Sequence, residues 1–309
     1  MKVLVTGGSG LVGTAIRKIS SRYNYEFVFP QSKNYNLENL NSTIELFKKE
    51  KPDYVIHLAA CVGGLYKNMN NKVEMLEKNL QINYNVIKCC HDYGVKKCIS
   101  CLSTCIFPDK TSYPINESML HNGEPHTSND AYAYAKRMLE IHCKAYREQY
   151  NDDFVCVIPT NIYGPADNYH LEDAHVIPAL IHKCYLNKKN NEPFTIRGSG
   201  KPLRQFIYSE DLAELIMWVL EKYTKKDTII LSVGEDDETS IEYIGKTIAK
   251  LFDYQHMVQF DDSYSDGQYK KTADNSKLMQ LYDYKFTDIE VGLEKSVQWF
   301  VDNYDTCRK

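Results

Sequence analysis

The sequence predicts an α/β protein with a doubly wound parallel sheet and a smaller C-terminal α/β lobe. Three observations support this fold. Short apolar runs rich in β-branched residues alternate with amphipathic helical patterns, a glycine cluster follows the first run at residue 7, and the alternation changes after Pro159. Alternation of this kind is typical of parallel sheets covered by helices. Ligands of such sheets bind at the carboxyl ends of the strands, so each strand end is a candidate site.

The boundaries follow from the hydrophobic period of each segment. Strands are predicted at 3–6, 26–29, 54–58, 98–102, 154–158 and 228–233, and helices near 11–22, 39–50, 72–93 and 131–150. Residues 161–205 are rich in Asn, Gly, Pro and His, and residues 236–309 mix short helices with polar loops. We therefore expect residues 1–160 with 206–234 to form the sheet domain, and residues 161–205 with 235–309 to form the smaller lobe that covers it.

The first strand ends in a glycine loop that is typical of dinucleotide binding. Gly7, Gly10 and Gly13 allow, respectively, a tight turn, close approach of a pyrophosphate, and close packing of the next helix on the strand. The helix that begins near Leu11 presents free N–H groups to the phosphates. The loop therefore predicts a Rossmann domain whose cofactor contacts include Gly7, Gly8, Ser9, Gly10, Leu11, Val12 and Gly13.

The end of the second strand indicates which dinucleotide is bound. NAD enzymes usually place an acid here to hold the ribose 2′-hydroxyl. No acid occurs from Phe27 to Leu37, whereas Lys33 offers a cation. We expect Lys33 to contact a 2′-phosphate and the cofactor to be NADP(H); the alternative for this residue is a solvated surface lysine.

The third and fifth strand ends carry small or polar residues. Leu58, Ala59 and Ala60 let a cofactor lie flat across the sheet, although they fit tight helix packing equally well. The fifth strand ends in a turn, and its Asn161 has a side chain able to hydrogen-bond cofactor or substrate. We include in the cofactor site the residues Pro159, Thr160, Asn161 and Ile162.

The fourth strand end and the following long helix predict acid–base chemistry. Tyr132 and Lys136 stand four residues apart and share one helix face, whereas Tyr134 has Met138 at that spacing. A nearby ammonium lowers the pKa of a phenol and favours proton exchange with a substrate oxygen. Ser103 is placed to hydrogen-bond the same oxygen.

Composition and charge limit the function classes. The chain has 309 residues, of which 43% are hydrophobic. Its net charge of −4 gives no electrostatic reason to expect binding to nucleic acids or to anionic membranes. No apolar run is long enough for a membrane span, and the first strand begins at once, so we expect no signal peptide and a cytoplasmic location. The ten cysteines lack disulfide-framework or zinc spacing, so we expect reduced thiols and no metal site.

Several motifs together resemble the extended short-chain dehydrogenase/reductases and, among them, the GDP-L-fucose synthase family. The resemblance covers nearly the whole chain, and its most discriminating elements are Ser103-Thr104-Cys105 and His175-Val176-Ile177-Pro178. The other matching segments are the glycine loop, His57-Leu58-Ala59-Ala60 with Val62-Gly63-Gly64, Tyr132-x-x-x-Lys136, Pro159-Thr160-Asn161-x-Tyr163-Gly164-Pro165, Arg204-Gln205-Phe206 and residues 265–271.

The resemblance implies specific roles for these residues. Ser103, Tyr132 and Lys136 resemble the reductase triad, and Cys105 and His175 resemble the pair that moves protons at sugar carbons 3 and 5; His175 also falls at a cofactor contact. The positions implied to contact the GDP-sugar are Asn161, Lys183, Arg204, Asp266 and Lys271. Arg197 is a departure, because the family often has Trp in that segment; stacking or phosphate pairing by Arg197 is the alternative.

The implied activity is 3,5-epimerisation of a GDP-4-keto-6-deoxymannose followed by NADPH-dependent reduction at carbon 4. A homodimer is also implied, with the helices near 72–93 and 131–150 as the candidate interface. Two alternatives remain open. One is another nucleotide-sugar epimerase or reductase, although a dehydratase would need an acidic pair where Thr104-Cys105 stands. The other is a non-catalytic NADP-sensing protein, which typically lacks the Tyr/Lys pair.

Overall fold

One parallel sheet organises the N-terminal two thirds of the chain. The computed structural model describes residues 1–264, 266 and 269–309, so Ser265, Gly267 and Gln268 of the matching 265–271 segment lie outside the described residues. Within the described part, six strands form this sheet in the order β2-β1-β3-β4-β5-β10, every neighbouring pair parallel. The chain changes direction across β1, which places the topological switch point between β1 and β3.

The secondary-structure elements confirm the predicted fold class. The strands are β1 Lys2–Thr6, β2 Glu26–Val28, β3 Tyr54–His57, β4 Lys97–Cys101, β5 Phe154–Pro159, β6 Asn161–Tyr163, β7 Phe194–Arg197, β8 Leu203–Arg204, β9 Phe206–Tyr208, β10 Ile229–Leu231, β11 Thr239–Ser240 and β12 Val258–Asp261. The helices are α1 Leu11–Ile19, α2 Leu40–Glu50, α3 Leu65–Asn70, α4 Lys72–Asp92, α5 Asp130–Tyr150, α6 Val176–Asn190, α7 Ser209–Glu221, α8 Ile241–Leu251, α9 Ser276–Leu281 and α10 Ile289–Asp302.

Helices cover both faces of the sheet because its strands are apolar on both sides. Val3 and Val5 of β1 face one apolar cluster with α1 and α7, whereas Leu4 faces the other cluster with α2, α4 and α5. This arrangement explains the near-continuous apolar runs of the central strands.

A third apolar cluster lies after β5. It joins Tyr163 and Tyr169 to residues of α6, β7, α8 and α10, among them Phe194 and Phe300. The β9 strand borders two clusters, because Ile207 packs in the sheet cluster and Tyr208 in the third cluster.

Two surface features bear on the expectations from sequence. The described helices include none that is both long and apolar enough to cross a membrane. The α4 and α5 helices pack together and expose apolar side chains, with Tyr84 51% and Met138 49% exposed.

The cysteines carry free thiols, most of them buried.

Candidate active site

A cavity of about 530 Å³ lies at the carboxyl ends of β1, β3, β4 and β5. Most residues predicted for the cofactor site and for reduction line this one cavity. They are Gly7, Ser9, Gly10, Leu11, Val12, Gly13, Leu58, Ala59, Ala60, Ser103, Tyr132, Lys136, Pro159, Thr160, Asn161, Ile162 and His175. The predicted residues that do not line it are Gly8, Lys33, Cys105, Lys183, Arg197, Arg204, Asp266 and Lys271.

The glycine loop is built as a phosphate cradle. Gly7 has φ +70°, and a Cβ there would lie 2.7 Å from the Ala59 nitrogen. A Cβ on Gly13 would lie 2.5 Å from the Gly7 carbonyl oxygen, so this glycine allows α1 to pack against the loop. Gly10 precedes the first residue of α1, and no side chain caps this helix end. The N-terminal N–H groups of α1 are therefore free to bind an anion.

Gly8 lies behind this cradle. A Cβ there would lie 2.7 Å from the Phe29 ring at the end of the second strand. Gly8 therefore allows the loop to pack closely on Phe29, the residue that follows β2, and its direct contact with a cofactor stays a prediction.

A buried network fixes the third strand end beside the loop. The His57 Nδ1 atom lies 2.8 Å from the Thr6 hydroxyl, and its Nε2 lies 3.0 Å from the Asn83 amide oxygen. The Thr6 oxygen also accepts hydrogen bonds from the Leu58 and Ala59 N–H groups, each 3.2 Å long. Burial lowers the pKa of His57 to about 3, so the ring stays neutral and donates from Nε2 to Asn83.

Ser103, Tyr132 and Lys136 meet at the fourth strand end. Ser103 precedes a short 3₁₀ turn, Thr104–Ile106. The Lys136 ammonium lies 5.8 Å from the Tyr132 ring centroid and donates a 2.8 Å hydrogen bond to the Cys101 carbonyl oxygen. Tyr134 points outward and is 41% exposed, as its spacing predicts.

The pKa of Tyr132 differs from the sequence-based prediction. Burial raises this pKa well above its usual value, and the neighbouring thiols of Cys105 and Cys101 raise it further. The expected lowering by the Lys136 ammonium is therefore wrong for this structure, because desolvation outweighs it. Burial also lowers the pKa of Lys136 itself. The phenol is thus held as a proton donor.

Cys105 and His175 belong to different elements near this group, the 3₁₀ turn and the residue before α6. Cys105 is 8% exposed, and the Ser103 hydroxyl accepts a 3.5 Å hydrogen bond from its N–H group. His175 stands directly before α6, and in the described part of the chain its imidazole has no hydrogen-bond partner. Its side chain opens to the cavity, yet the surrounding walls lower its pKa by desolvation. Both groups favour their uncharged forms.

Gln205 ties the fifth strand end to a distant segment. Its backbone oxygen accepts hydrogen bonds from the N–H and the side-chain amide of Asn161, 3.2 Å and 2.9 Å long. Its buried carboxamide donates to Val233 and Ala273 oxygens and accepts a 2.7 Å bond from the Ala273 N–H. Sequence reasoning placed Gln205 in a motif but gave it no role.

The second strand end differs in detail from the expectation. Lys33 is exposed, whereas its neighbour Ser32 lines the cavity. The segment without an acid, which extends from Phe27 to Leu37, is followed directly by Glu38, and Glu38 lines the cavity. A second cation stands nearby, because the Arg17 guanidinium lies 3.9 Å from the Phe29 ring centroid.

Four of the predicted sugar-nucleotide contacts form two groups of side chains in the smaller lobe. The Lys183 ammonium donates a 2.5 Å hydrogen bond to the Thr195 oxygen, and Arg197 acts on it electrostatically. The Arg197 guanidinium lies 4.9 Å from the Tyr264 ring centroid, so it stacks on an aromatic ring of its own lobe. Burial lowers the pKa of both Lys183 and Arg204.

Asp266 and Arg204 have local partners. The Asp266 carboxylate accepts 2.7 Å hydrogen bonds from the N–H and hydroxyl groups of Ser199. The Arg204 guanidinium donates a 2.7 Å bond to the Leu203 oxygen. Asp266 therefore shapes the 198–199 turn, and its contact with a substrate stays a prediction.

Sequence reasoning missed Asp167 and Arg308 in the cavity wall. Asp167 is 5% exposed, and its Oδ2 has no hydrogen-bond partner among the described residues. Burial raises its pKa to about 7. The Arg308 guanidinium donates a 2.8 Å bond to the Ala166 oxygen, which brings the C-terminal segment to the cavity. No local pattern marks either residue, because both depend on contacts made by distant segments.

Asp167→Asn is expected to stabilise the protein at neutral and alkaline pH. The folded-state pKa of about 7 exceeds the ordinary 3.8, so folding binds a proton between these values and stability falls as pH rises through them. The neutral amide removes this cost, and the free energy of unfolding should rise by about 1–4 kcal/mol at about pH 8 but change little near pH 4. Urea titrations at both pH values measure it.

Asp173→Asn is the matched control, because it removes the same charge from a half-buried position of the same cavity wall. Equal effects of Asp167→Asn at both pH values would show that burial of an ionised carboxylate is not the cause.

Comparison with known proteins agrees with this geometry. A model of the NAD dependent epimerase/dehydratase family matches residues 3–234. The GDP-L-fucose synthase of Dictyostelium discoideum is 55% identical over 311 residues, which cover 99% of this chain and 97% of that protein. The GDP-L-fucose synthase of Escherichia coli is 34% identical, with 99% and 98% covered.

Solved structures give the same result. A crystal structure of a GDP-L-fucose synthetase from Naegleria fowleri bound to NADP superposes with a TM-score of 0.96 at 47% identity, covering 100% of this chain and 95% of that one. The likeness thus extends over sequence, fold and full length. The chain therefore belongs to the NAD dependent epimerase/dehydratase family and, within it, to the GDP-L-fucose synthases.

Proposed function

We propose that this protein converts GDP-4-keto-6-deoxy-D-mannose to GDP-L-fucose, by 3,5-epimerisation followed by NADPH-dependent reduction at carbon 4. The observation that carries the proposal is one group of side chains at the fourth strand end: Ser103, Tyr132 and Lys136 in the cavity wall, with Cys105 in electrostatic contact with Tyr132 and Lys136. The GDP-L-fucose synthases of Dictyostelium discoideum and Escherichia coli support the substrate.

The cavity fits NADP(H), the cofactor named for the Naegleria structure. The cradle of Gly7, Gly10 and Gly13 leaves no room for a Cβ at two of its glycines and presents the free N–H groups of α1, as a pyrophosphate requires. Leu58 to Ala60 and Pro159 to Ile162 would border the rest of the cofactor. When bound, NADPH supplies a hydride.

The reduction half uses Tyr132, Ser103 and Lys136. Ser103 and Tyr132 would hold the keto oxygen and stabilise the negative charge that develops on it. The buried phenol keeps its proton until that oxygen can accept it, which suits a general acid. Lys136 would orient the cofactor ribose and replace the phenolic proton.

The epimerisation half uses Cys105 and His175. A keto group at carbon 4 acidifies the hydrogens on carbons 3 and 5, so a nearby base can remove them to give an enolate. Inversion requires removal of a proton from one face and its return to the other, and a thiol and an imidazole on different elements supply two such groups. Both favour their uncharged forms at rest, so the neutral imidazole can accept a proton and the thiol can donate one, whereas the thiol must first lose its proton before it can act as a base.

The smaller lobe would hold the GDP part of the substrate. Lys183, Arg197, Arg204 and Lys271 supply positive charge for a diphosphate, and Asn161 stands where sugar and cofactor would meet. We assign Asp266 to the same site through the Gly198–Ser199 turn that it holds. Arg197 already stacks on Tyr264, a pair able to replace the aromatic surface that the family often forms with Trp.

We assign residues 1–160 with 206–234 to the NADP-binding domain and residues 161–205 with 235–309 to the GDP-sugar lobe. The third apolar cluster supports this division because most of its residues belong to 161–205 and 235–309, although Phe206 and Tyr208 join it from the sheet domain and Leu278 and Tyr284 pack in the sheet cluster. We also propose a cytoplasmic homodimer in which α4 and α5 of two subunits form a helix bundle. The exposed apolar side chains of these helices support it, among them Tyr84, Met138 and Ile141.

Incubation with GDP-4-keto-6-deoxy-D-mannose and NADPH in deuterium oxide tests the activity. We expect NADPH consumption and GDP-L-fucose that carries deuterium at carbons 3 and 5, identified by mass spectrometry and NMR. The matched control is the corresponding UDP-keto sugar. Turnover of the UDP-sugar, with NADPH left unchanged by the GDP-sugar, would assign the chain to another nucleotide-sugar reductase.

Lys33→Ala is expected to weaken NADPH binding roughly tenfold and to leave NADH binding nearly unchanged, because only the 2′-phosphate makes a charge-assisted contact. Calorimetric titration with both cofactors measures the two affinities. Arg17→Gln is the comparison variant, since Arg17 is the second cation near the end of β2. A selective loss in Arg17→Gln, with Lys33→Ala unchanged, would transfer the role to Arg17.

A further inference from the structure

We propose that Gln205 is a positioning residue for Asn161. It fixes the Asn161 amide so that the amide oxygen faces the cavity and accepts a hydrogen bond from an O–H or N–H group of the bound cofactor or sugar. The inference rests on the proposed function, which places Asn161 where sugar and cofactor would meet, and it deepens that function. It gives Gln205 a task in ligand binding, and it gives the Asn161 contact a direction in which the ligand donates.

The Asn161 amide is held at its nitrogen end. Its Nδ2 donates a 2.9 Å hydrogen bond to the Gln205 carbonyl oxygen, and its backbone N–H donates a 3.2 Å bond to the same oxygen. The nitrogen and oxygen of an amide lie on opposite sides of its carbon, so the first of these bonds turns Oδ1 away from Gln205. Asn161 is exposed and lines the cavity, and within the described residues its Oδ1 has no hydrogen-bond partner. This oxygen is therefore available to a ligand.

The side chain of Gln205 fixes the carbonyl that holds Asn161. Gln205 is 1% exposed, and its Nε2 donates hydrogen bonds of 2.9 Å and 3.0 Å to the Val233 and Ala273 oxygens. Its Oε1 accepts a 2.7 Å bond from the Ala273 N–H group. The buried carboxamide thus has partners for both its donor and its acceptor, which sets its orientation more strictly than apolar packing would.

The surrounding backbone keeps the Gln205 carbonyl directed at Asn161. Gln205 stands between β8 and β9, and β6 pairs with β9 in a parallel register that places Asn161 opposite Phe206. The Ala273 segment is anchored on both sides by two 2.8 Å backbone hydrogen bonds with Ile115. Segments that are distant in the chain therefore meet at one carboxamide, and the group that this arrangement presents to the cavity is the Asn161 side chain.

The polarity of this group restricts the ligand atom that it binds. An amide oxygen accepts hydrogen bonds and cannot donate them, so its partner is a hydroxyl or an amide N–H group. Phosphate oxygens are excluded as its partners, because ionised phosphates are acceptors. The nicotinamide carboxamide and the ribose hydroxyls of the cofactor carry suitable donors, and so do the hydroxyls of the sugar.

Gln205→Met tests the inference, because it removes the carboxamide from a side chain of similar length and leaves the Asn161 amide free to turn. Calorimetric titrations measure NADP⁺ binding to the free protein, and the binding of GDP-mannose and of GDP to the NADP⁺-loaded protein. Loss of one hydrogen bond should weaken the binding of NADP⁺ or of GDP-mannose roughly three- to tenfold. A loss for NADP⁺ assigns the donor to the cofactor, and a loss for GDP-mannose with GDP unchanged assigns it to the sugar.

A double-mutant cycle shows whether Gln205 acts through Asn161. In an Asn161→Ala background, Gln205→Met should change the same affinity by less than about twofold, because the group that it positions is absent. Asn275→Leu is the matched control, since the Asn275 amide ties the same segments through a 3.1 Å bond to the Ser232 oxygen and does not contact Asn161. It should keep the parent affinities.

Three results would overturn the inference. One is parent-like binding of all three ligands by Gln205→Met. Another is additive losses in the double-mutant cycle, which would mean that Gln205 only holds the segments together. The third is equal weakening of GDP and GDP-mannose with NADP⁺ unchanged, which would place the effect at the nucleotide.

A crystal structure of the parent protein with NADP⁺ and GDP-mannose tests the direction of the contact without any substitution, and it decides the inference if thermal melting shows that Gln205→Met is unfolded. We expect Nδ2 to remain on the Gln205 carbonyl and Oδ1 to lie within hydrogen-bond distance of a ligand donor. An Asn161 Nδ2 that instead donates to a phosphate oxygen would contradict the inference. Absence of GDP-mannose binding by the parent would count against the proposed substrate, and the NADP⁺ titrations would then decide the inference alone.

Discussion

Tyr132→Phe is expected to reduce NADPH oxidation by roughly 10²–10⁴-fold, because it removes the proton that the keto oxygen must receive at carbon 4. The ring is retained, so its packing against the apolar cluster that contains Cys105 and the 5.8 Å approach of Lys136 should persist. Loss of the hydroxyl also removes one of two hydrogen bonds to the developing negative charge. Absorbance of NADPH with the GDP-keto sugar measures the rate.

Tyr134→Phe is the matched control for this variant. It makes the same chemical change two residues away on α5, but the side chain is 41% exposed and faces away from the cavity. Its rate should equal that of the parent. Equal loss in both variants would point to altered α5 packing, and an unchanged rate in Tyr132→Phe would remove the phenol from the mechanism.

The glycine loop and the catalytic tyrosine could be predicted because their signals are local. The loop needs only a strand, spaced glycines and a helix start, all within residues 2–19. Likewise Tyr132 and Lys136 share a helix face through their spacing alone, and the described structure places both in the cavity wall. The topology then brings these local signals together, because parallel strands end at the same edge of the sheet.

Properties that depend on burial or on distant segments could not be predicted in the same way. The spacing of Lys136 and Tyr132 indicates a lowered phenol pKa, but desolvation by surrounding elements reverses the direction. Asp167 looks like an ordinary loop acid until Arg308, far along the chain, closes the wall beside it. Gln205 connects Asn161 to Ala273 across long stretches of chain, and neither stretch contains a pattern that reveals the connection.

Cys105→Ser is expected to slow deuterium incorporation at carbons 3 and 5 by roughly 10²–10⁴-fold while hydride transfer continues. Serine keeps the approximate size but replaces a thiol with a hydroxyl that ionises far less readily. The thiol is 8% exposed beside Ser103, so the exchange should leave the keto-oxygen site intact. The product should be a reduced but unepimerised sugar, GDP-6-deoxymannose or its 4-epimer. Mass spectrometry reports the first step and NADPH absorbance the second.

Comparison with Tyr132→Phe separates the two steps of the reaction, because Cys105→Ser should lose proton exchange and Tyr132→Phe should lose reduction. Cys61→Ser is the matched control; its half-buried thiol contacts the Met75 sulfur at 3.8 Å and is outside the cavity lining. It should keep both rates. Parent-like deuterium incorporation in Cys105→Ser would mean that the thiol only packs in the apolar cluster. The protons at carbons 3 and 5 would then have to be moved by His175 together with a group other than sulfur.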